Sequence, residues 1–161
     1  MNLRDEILTG PKAAECAPYV VTNDMPKDPD YMAKDQAIAD ILNQGRAPKI
    51  VKREVGDGSI ALALGTTAGP VFLFKLRRLA AVSLPDNATD DQIAPVAIAQ
   101  QAVASLAKNG FDVGDPAVRA GLNMFVGPLL TADQAAAIKA LAEVPDVVTA
   151  AAVSVALRVE V

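Results

Sequence analysis

The chain has 161 residues, of which 52% are hydrophobic and 21% are charged, and its formal net charge is -4. This length and composition exclude an intrinsically disordered protein and predict one folded domain over residues 1–161. Because there is no His and only one Cys, Cys16, the chain cannot assemble a Ser-His-Asp triad, a Cys-His dyad, a zinc finger or a disulfide framework.

The amino-terminal segment predicts a short helix followed by a proline-rich arm. Leu3, Ile7 and Leu8 have the spacing of an amphipathic helix of about two turns, which ends at Gly10-Pro11. Residues 11–29 contain four prolines, and this composition favours an extended arm.

A longer helix is predicted after the arm. Asp28 is expected to be its N-cap, Pro29 its first residue and Gly45 its left-handed terminator. Four residues at helical spacing form its predicted inner face, namely Tyr31, Ile38, Ile41 and Leu42.

The middle of the chain combines a weak strand pattern with a strongly apolar helix. Residues 49–55 predict a short edge strand or an extended connector, and Ser59 is the predicted cap of a short helix through Leu64. The next helix is predicted to begin at Pro70, and we expect it to be the central, most buried element, with Lys75 and Arg78 on its one solvent-exposed edge. Its apolar residues are Val71, Phe72, Leu73, Phe74, Leu76, Leu79 and Ala80.

Four helices with clear start signals complete the predicted fold. Thr89 and Thr131 each precede a Gln by three residues, which is capping-box spacing, although Pro95 suggests that the regular part of the first of these helices begins near residue 94. Asp115-Pro116 and Thr149 are the starts of the other two. Residues 157–161 alternate like a strand that can pair with the edge of a sheet, the alternative being a frayed terminus.

The fold class predicted from these elements is mainly α. We expect a compact multi-helix bundle with a proline-rich arm over residues 11–29, a tail over residues 157–161, and short β segments near residues 49–55 and 157–161.

The chain contains two clusters of basic residues, although acidic residues outnumber basic ones overall and the sequence pI is near 4.8. The first consists of Arg46, Lys49, Lys52 and Arg53, and the second of Lys75, Arg77 and Arg78. The acidic balance argues against nucleic-acid binding, which requires clustered cations over a wide surface. A solvated face is the usual explanation of such clusters, and a docking patch for an acidic partner or a nucleic acid is the alternative.

The sequence shows no pattern of a secretory signal or a membrane span. Residues 1–6 lack a cationic start followed by an apolar stretch. The longest apolar run, Ile60 to Phe74, is interrupted by Gly and Pro and falls short of the roughly 20 residues that a spanning helix needs. We therefore expect a soluble protein made in a cytoplasm.

Carboxylates are the remaining candidates for catalysis. Three pairs lie close together in sequence, namely Asp28 with Asp30, Asp90 with Asp91, and Asp112 with Asp115. Most of these residues open helices, where the helix dipole favours negative charge. Cys16 is interpreted as an apolar packing residue, since no His can activate it. We expect no catalytic residue, no metal and no cofactor.

Two stretches of the sequence carry a family pattern. The first is Ile41-Leu42-Asn43-Gln44-Gly45-Arg46, continuing through Val51 and Arg53-Glu54 to Gly56-Asp57-Gly58-Ser59. The second is Gly114-Asp115-Pro116-Ala117-Val118-Arg119-Ala120, Leu130-Thr131-Ala132-Asp133-Gln134, Lys139-Ala140-Leu141-Ala142-Glu143 and Thr149-Ala150-Ala151. Together they resemble small proteins encoded among the structural genes of tailed bacteriophages. Gly121 and Gly127-Pro128 depart from the bulkier or less helix-breaking residues expected there.

The resemblance implies a role in the virion or its assembly, in the tail region. We expect a non-enzymatic structural protein, made in the cytoplasm of the bacterial host, that joins tail parts or attaches fibres. Its expected partners are other phage structural proteins and copies of itself, with no small-molecule substrate and no membrane. The apolar residues predicted to contact these partners are Tyr19, Val20, Val21, Val159 and Val161.

Two other functions are weighed against this one. The first is a small intracellular binding module, an assembly chaperone or regulator, that holds its partner through Arg46, Lys49, Lys52 and Arg53. The second is a hydrolase that uses a carboxylate pair, which we disfavour because the helix-start explanation accounts for most of these residues.

Overall fold

The computed structural model describes residues 1–22 and 28–158 of the chain, and these are mainly helical. The described residues contain nine α-helices: α1 Leu3–Thr9, α2 Ala13–Cys16, α3 Tyr31–Asn43, α4 Asp57–Leu64, α5 Ala68–Ala80, α6 Asp90–Leu106, α7 Pro116–Met124, α8 Ala132–Ala140 and α9 Ala150–Arg158. A 3-10 helix, Ala17–Tyr19, follows α2.

Within residues 1–22 and 28–158, four strands of two residues each form two short antiparallel sheets. The strands are β1 Lys49–Ile50, β2 Glu54–Val55, β3 Phe111–Asp112 and β4 Glu143–Val144, and β1 pairs with β4 while β2 pairs with β3. In the second sheet Val55 lies opposite Phe111. The predicted fold class, mainly α with short β segments near residues 49–55, is confirmed.

The described elements form two units, each with its own apolar core. Unit 1 consists of residues 1–49 and 145–161, and unit 2 of residues 50–144. Unit 1 therefore contains both ends of the chain, whereas unit 2 is continuous in sequence. That the whole chain folds as one domain over residues 1–161 stays a prediction.

In unit 1, α1, α2, α3 and α9 contribute to one core. Its buried residues are Ile7, Cys16, Ile38, Ala39, Leu42, Val148, Val153 and Leu157. The side chain of Asn2 caps α1 by accepting the N–H of Asp5 at 2.8 Å. Cys16 is buried in this core, so its predicted role in packing is confirmed.

Two predictions in unit 1 are wrong in part. Part of the predicted arm is helical, because residues 13–19 form α2 and the 3-10 helix. The predicted strand at the carboxyl end is helical at Leu157 and Arg158, since Leu157 packs into the core and Arg158 bonds to Asp35. Residues 23–27 of the arm and residues 159–161 of the tail lie outside the described residues.

The start of α3 also differs from the prediction. The helix begins at Tyr31 with Asp30 as its N-cap residue, two positions after the predicted cap. Asp28 instead accepts the backbone N–H of Asp30 at 2.9 Å and forms an ion pair with Lys34. Gly45 has the left-handed backbone expected of a terminator, with φ of 67°.

Unit 2 is built from α4 to α8 around a larger core. Its largest buried side chains come from α4, α5, α8, β2 and the residue that follows β3, and include Val55, Ile60, Phe72, Leu76, Val113 and Ile138. Capping boxes start α6 at Thr89 and α8 at Thr131, as predicted. The regular part of α6 begins at Asp90, not near residue 94. Pro95 is tolerated inside the helix because its missing N–H would bond only to the carbonyl of Asp91, an exposed residue.

Candidate functional site

α5 exposes apolar side chains on the side that faces away from its unit. The helix buries Phe72 and Leu73, whereas Phe74 is 62% exposed and Val71 is 47% exposed. The prediction that α5 is buried nearly all round is therefore wrong for Val71 and Phe74. Four residues at spacings of three, four and seven form what we call the outer face of α5, namely Val71, Phe74, Lys75 and Arg78.

A close helix–helix approach sets the rotation of α5. Gly69 lies in the first turn of α5, and a Cβ at this position would collide with the Cα of Ala61 in α4. Only Gly allows the two backbones to come this near. This contact directs Phe72 into the core, and helical geometry then turns Phe74, two residues later, toward solvent.

The outer face of α5 combines apolar side chains with positive charge. The guanidinium carbon of Arg78 lies 6.0 Å from the centre of the Phe74 ring, within cation–π range. Neither Lys75 nor Arg78 forms an ion pair with a carboxylate of the described residues, whereas Arg77 pairs with Asp57. Aromatic residues and Arg are enriched in protein interfaces. The outer face of α5 is therefore suited to an apolar protein surface that carries carboxylates.

The sequence contains a signal for this face that the prediction of a buried helix overlooked. At 100° per residue, Val71 and Phe74 fall within the same sector of the helix as Lys75 and Arg78, the two residues predicted to face solvent. Two apolar residues that share a sector with two cations point to solvent rather than to the core.

The predicted contact residues of the arm lie mostly against their own unit. Val21 is buried, and Val20 packs against the core of unit 1. Tyr19 is 38% exposed, so of these three it offers the most accessible side chain to a partner. Val159 and Val161 lie outside the described residues.

Arg46, of the first basic cluster, is held inside unit 1. Its guanidinium contacts Glu6 at 2.5 Å and Asp146 at 2.8 Å. The hydrogen bond that it donates to Glu6, with a further contribution from Asp146, raises the pKa of Arg46. Arg46 thereby joins three separate segments of unit 1.

The other three residues of the first basic cluster are exposed. Lys49 belongs to unit 1, whereas Lys52 and Arg53 belong to unit 2. Lys52 lies 3.6 Å from Glu54, an exposed pair of little energetic weight.

Three of the carboxylates considered for catalysis have structural partners, namely Asp28, Asp112 and Asp115. Asp112 accepts the N–H of Arg53 at 2.7 Å and of Gly114 at 2.9 Å, and these bonds lower the pKa of Asp112. Asp115 caps α7 by accepting the N–H of Ala117 at 2.7 Å.

The Cys16 thiol is buried, and this burial, followed by the nearby carboxylate of Glu15, raises the pKa of Cys16. A raised pKa keeps this thiol protonated at neutral pH.

Neither a metal site nor a membrane span is found in the part of the chain that the structure describes. In residues 1–22 and 28–158, no three or more Cys, Asp or Glu side chains are grouped so that they could hold a metal ion. None of the described helices is both long and apolar enough to cross a bilayer.

Comparison of the chain with protein-family models, with curated proteins and with solved structures found no match.

Proposed function

We propose that this chain is a non-enzymatic structural protein of a bacteriophage virion, located in the tail region, where it joins tail components or attaches fibres. The phage assignment rests on the resemblance of residues 41–59 and 114–151 to small phage structural proteins. The observation that carries binding to another protein is the exposure of Phe74 on the outer face of α5.

The energetics of the outer face favour a protein partner. Burial of a Phe or Val side chain contributes about 1.5–3 kcal/mol, and Phe74 and Val71 both retain much of their surface for this purpose. Lys75 and Arg78 add attraction to carboxylates and raise the rate of encounter with an acidic surface. The proposed partner is a neighbouring protein of the particle with an apolar patch bordered by Asp or Glu.

The first experiment is quantitative mass spectrometry of purified virions of the phage that encodes this chain. We expect the chain at a small, fixed ratio to the portal protein. Absence of the wild-type chain from particles would overturn the virion assignment. An intracellular binding module would then be the better hypothesis, and reversal of the exposed charges of Lys49 and Arg53 would test it.

A pair of variants tests the binding surface separately. Phe74→Asp places a charge at the centre of the outer face, and we expect a folded protein that is lost from particles. Met124→Asp is the matched control, since Met124 is likewise an exposed apolar side chain, 47% exposed, but lies on α7, outside this face. Incorporation of Phe74→Asp at the wild-type level would overturn the assignment of the outer face. Light scattering of the purified chain shows whether the same variant disrupts self-association instead.

A further inference from the structure

A half-open apolar cavity lies within unit 2, between α5, α6, β3 and α7. Its volume is about 110 Å³. The apolar part of its wall is formed mainly by Phe72, Leu76, Ile98, Phe111, Val118 and Leu122. Two polar side chains, Gln101 and Ser105, also line it, and no charged side chain does.

Small residues leave this space open. Ala102 of α6 and Ala117 of α7 contribute only a methyl group each to the wall. Gly121 lines the same cavity, and a Cβ at this position would lie 3.2 Å from the Cγ2 of Ile98. The glycine therefore lets α7 approach Ile98 closely, while the two alanines beside it do not fill the gap.

We propose that this cavity binds a small neutral aromatic molecule of about the size of phenol. An apolar protein cavity of about 150 Å³ lined by Leu, Ile and Phe stays dry and binds benzene, so a ring fits a space of similar size that is open on one side. The ring lies against Phe72, Phe111 and Leu122. A charged ligand is excluded because the wall offers no counter-charge.

The polar rim orients the ligand. The side chains of Gln101 and Ser105 make no hydrogen bond to any residue in the described part of the chain. Gln101 is exposed and Ser105 is half-buried, so the pair lies where the cavity meets solvent. The hydroxyl group of the ligand takes its place at these two side chains, where it can both donate and accept a hydrogen bond.

The test is a titration of the full chain with phenol and with toluene, followed by the methyl NMR signals of Ile98, Val118 and Leu122. We expect saturable shifts at those methyl groups with a Kd on the order of 1 mM, as befits a ligand of so few atoms. Absence of a saturable shift with both probes would overturn the proposal.

Cavity-filling variants locate the binding. Ala102→Leu fills the cavity, and we expect it to weaken the binding of both probes at least about tenfold. Ala104→Leu is the control, because Ala104 lies on the same helix, is exposed and does not line the cavity. Unchanged affinity in a folded Ala102→Leu protein would place the ligand elsewhere.

A rim variant tests the orientation without risk to the core. Gln101→Ala removes one exposed amide, and we expect it to weaken phenol binding about two- to tenfold while toluene binding stays the same. Equal losses for the two probes would contradict the proposed position of the hydroxyl group.

Discussion

Unit 1 encloses charge, whereas the core of unit 2 is built from apolar side chains. Asp35, in α3, is 1% exposed and is the one polar or charged residue that is buried in the described chain. Both of its carboxylate oxygens accept hydrogen bonds from Arg158, at 2.7 and 2.8 Å, and the Tyr31 ring lies 4.9 Å from the guanidinium carbon. The ion pairs of unit 2, such as Arg119 with Glu143, involve more exposed side chains.

The two units also differ in how far apart in sequence their polar partners lie. In unit 1, Asp35 and Arg158 are separated by 123 positions, and Asn43 and Val148 by 105. In unit 2 the separations are smaller, since Arg119 and Glu143 are 24 positions apart and Asp112 and the N–H that it accepts from Arg53 are 59 positions apart. Unit 1 therefore depends on the carboxy-terminal segment to satisfy its buried polar groups, because an unpaired buried charge is strongly destabilising. Unit 2 relies mainly on packing.

The largest expected effect is in the core of unit 2. Phe72→Ala removes a ring that is 2% exposed, and we expect it to lower the free energy of unfolding by about 3–5 kcal/mol. Phe74→Ala is the matched control two residues along α5, and its effect should stay within about 0.5 kcal/mol because the ring is largely exposed. Urea denaturation measures the free energy of unfolding of both variants. Similar losses in the two variants would contradict the assignment of the outer face.

The next effect is in the buried ion pair of unit 1. Asp35→Ala removes the buried carboxylate that accepts two hydrogen bonds from the Arg158 guanidinium, and we expect the free energy of unfolding to fall by about 3 kcal/mol. Asp40→Ala, at an exposed position of the same helix, is the control. Hydrogen exchange resolves the units, and protection should decrease in α3 and α9 first. A loss below about 1 kcal/mol would show that the pair does not support unit 1.

Replacing both partners sharpens this test. A buried ion pair exchanged for apolar residues of similar size is often neutral or stabilising. We therefore expect Asp35→Leu combined with Arg158→Met to recover most of the stability that Asp35→Ala loses. Failure to recover would indicate that the geometry of the pair itself is required.

A smaller effect is expected at Asn43. Its amide accepts the N–H of Val148 at 2.9 Å and donates to the carbonyl of the same residue at 2.8 Å. Asn43→Ala leaves both backbone groups without a partner, which should cost about 1–3 kcal/mol in unfolding free energy. Gln44→Ala, at the exposed neighbouring position, should cost much less. Equal losses would mean that these two bonds contribute little.

The smallest effect concerns acid stability, and each unit supplies one carboxylate to it. In unit 2 the N–H groups of Arg53 and Gly114 lower the pKa of Asp112, and in unit 1 the side chain of Lys34 and the N–H of Asp30 lower that of Asp28. A lowered pKa stabilises the fold above the unfolded value of about 3.9, and this stabilisation is lost as the pH falls through the folded value.

We therefore expect Asp112→Asn and Asp28→Asn each to lose less stability than the wild type between about pH 5 and pH 3. Urea midpoints at several pH values measure this difference. Asp86→Asn, at an exposed position in a loop, is the control and should follow the wild type. If the urea midpoints of both test variants fell with pH as steeply as those of the wild type, these two carboxylates would not be a source of the acid sensitivity.

Local signals predicted many of the helices of both units. Thr131 with Gln134 and Asp115 with Pro116 mark the starts of α8 and α7 where the structure has them. These signals work because a cap and the N–H that it satisfies lie within one turn of each other. The strands β3 and β4 were not predicted, since Val55 and Phe111 pair across 56 positions and two residues are too few to show an alternating pattern.

By itself the sequence determined the fold class, the caps of α6, α7 and α8 and the absence of His-based chemistry, all of which follow from composition or from neighbours within one helical turn. Only the tertiary structure decided that Phe74 faces outward and that Asp35 is buried beside Arg158. The first depends on the close contact of Gly69 with Ala61 and the second on a partner 123 positions away. Burial is a property of what packs against a side chain, and segments distant in sequence supply those contacts.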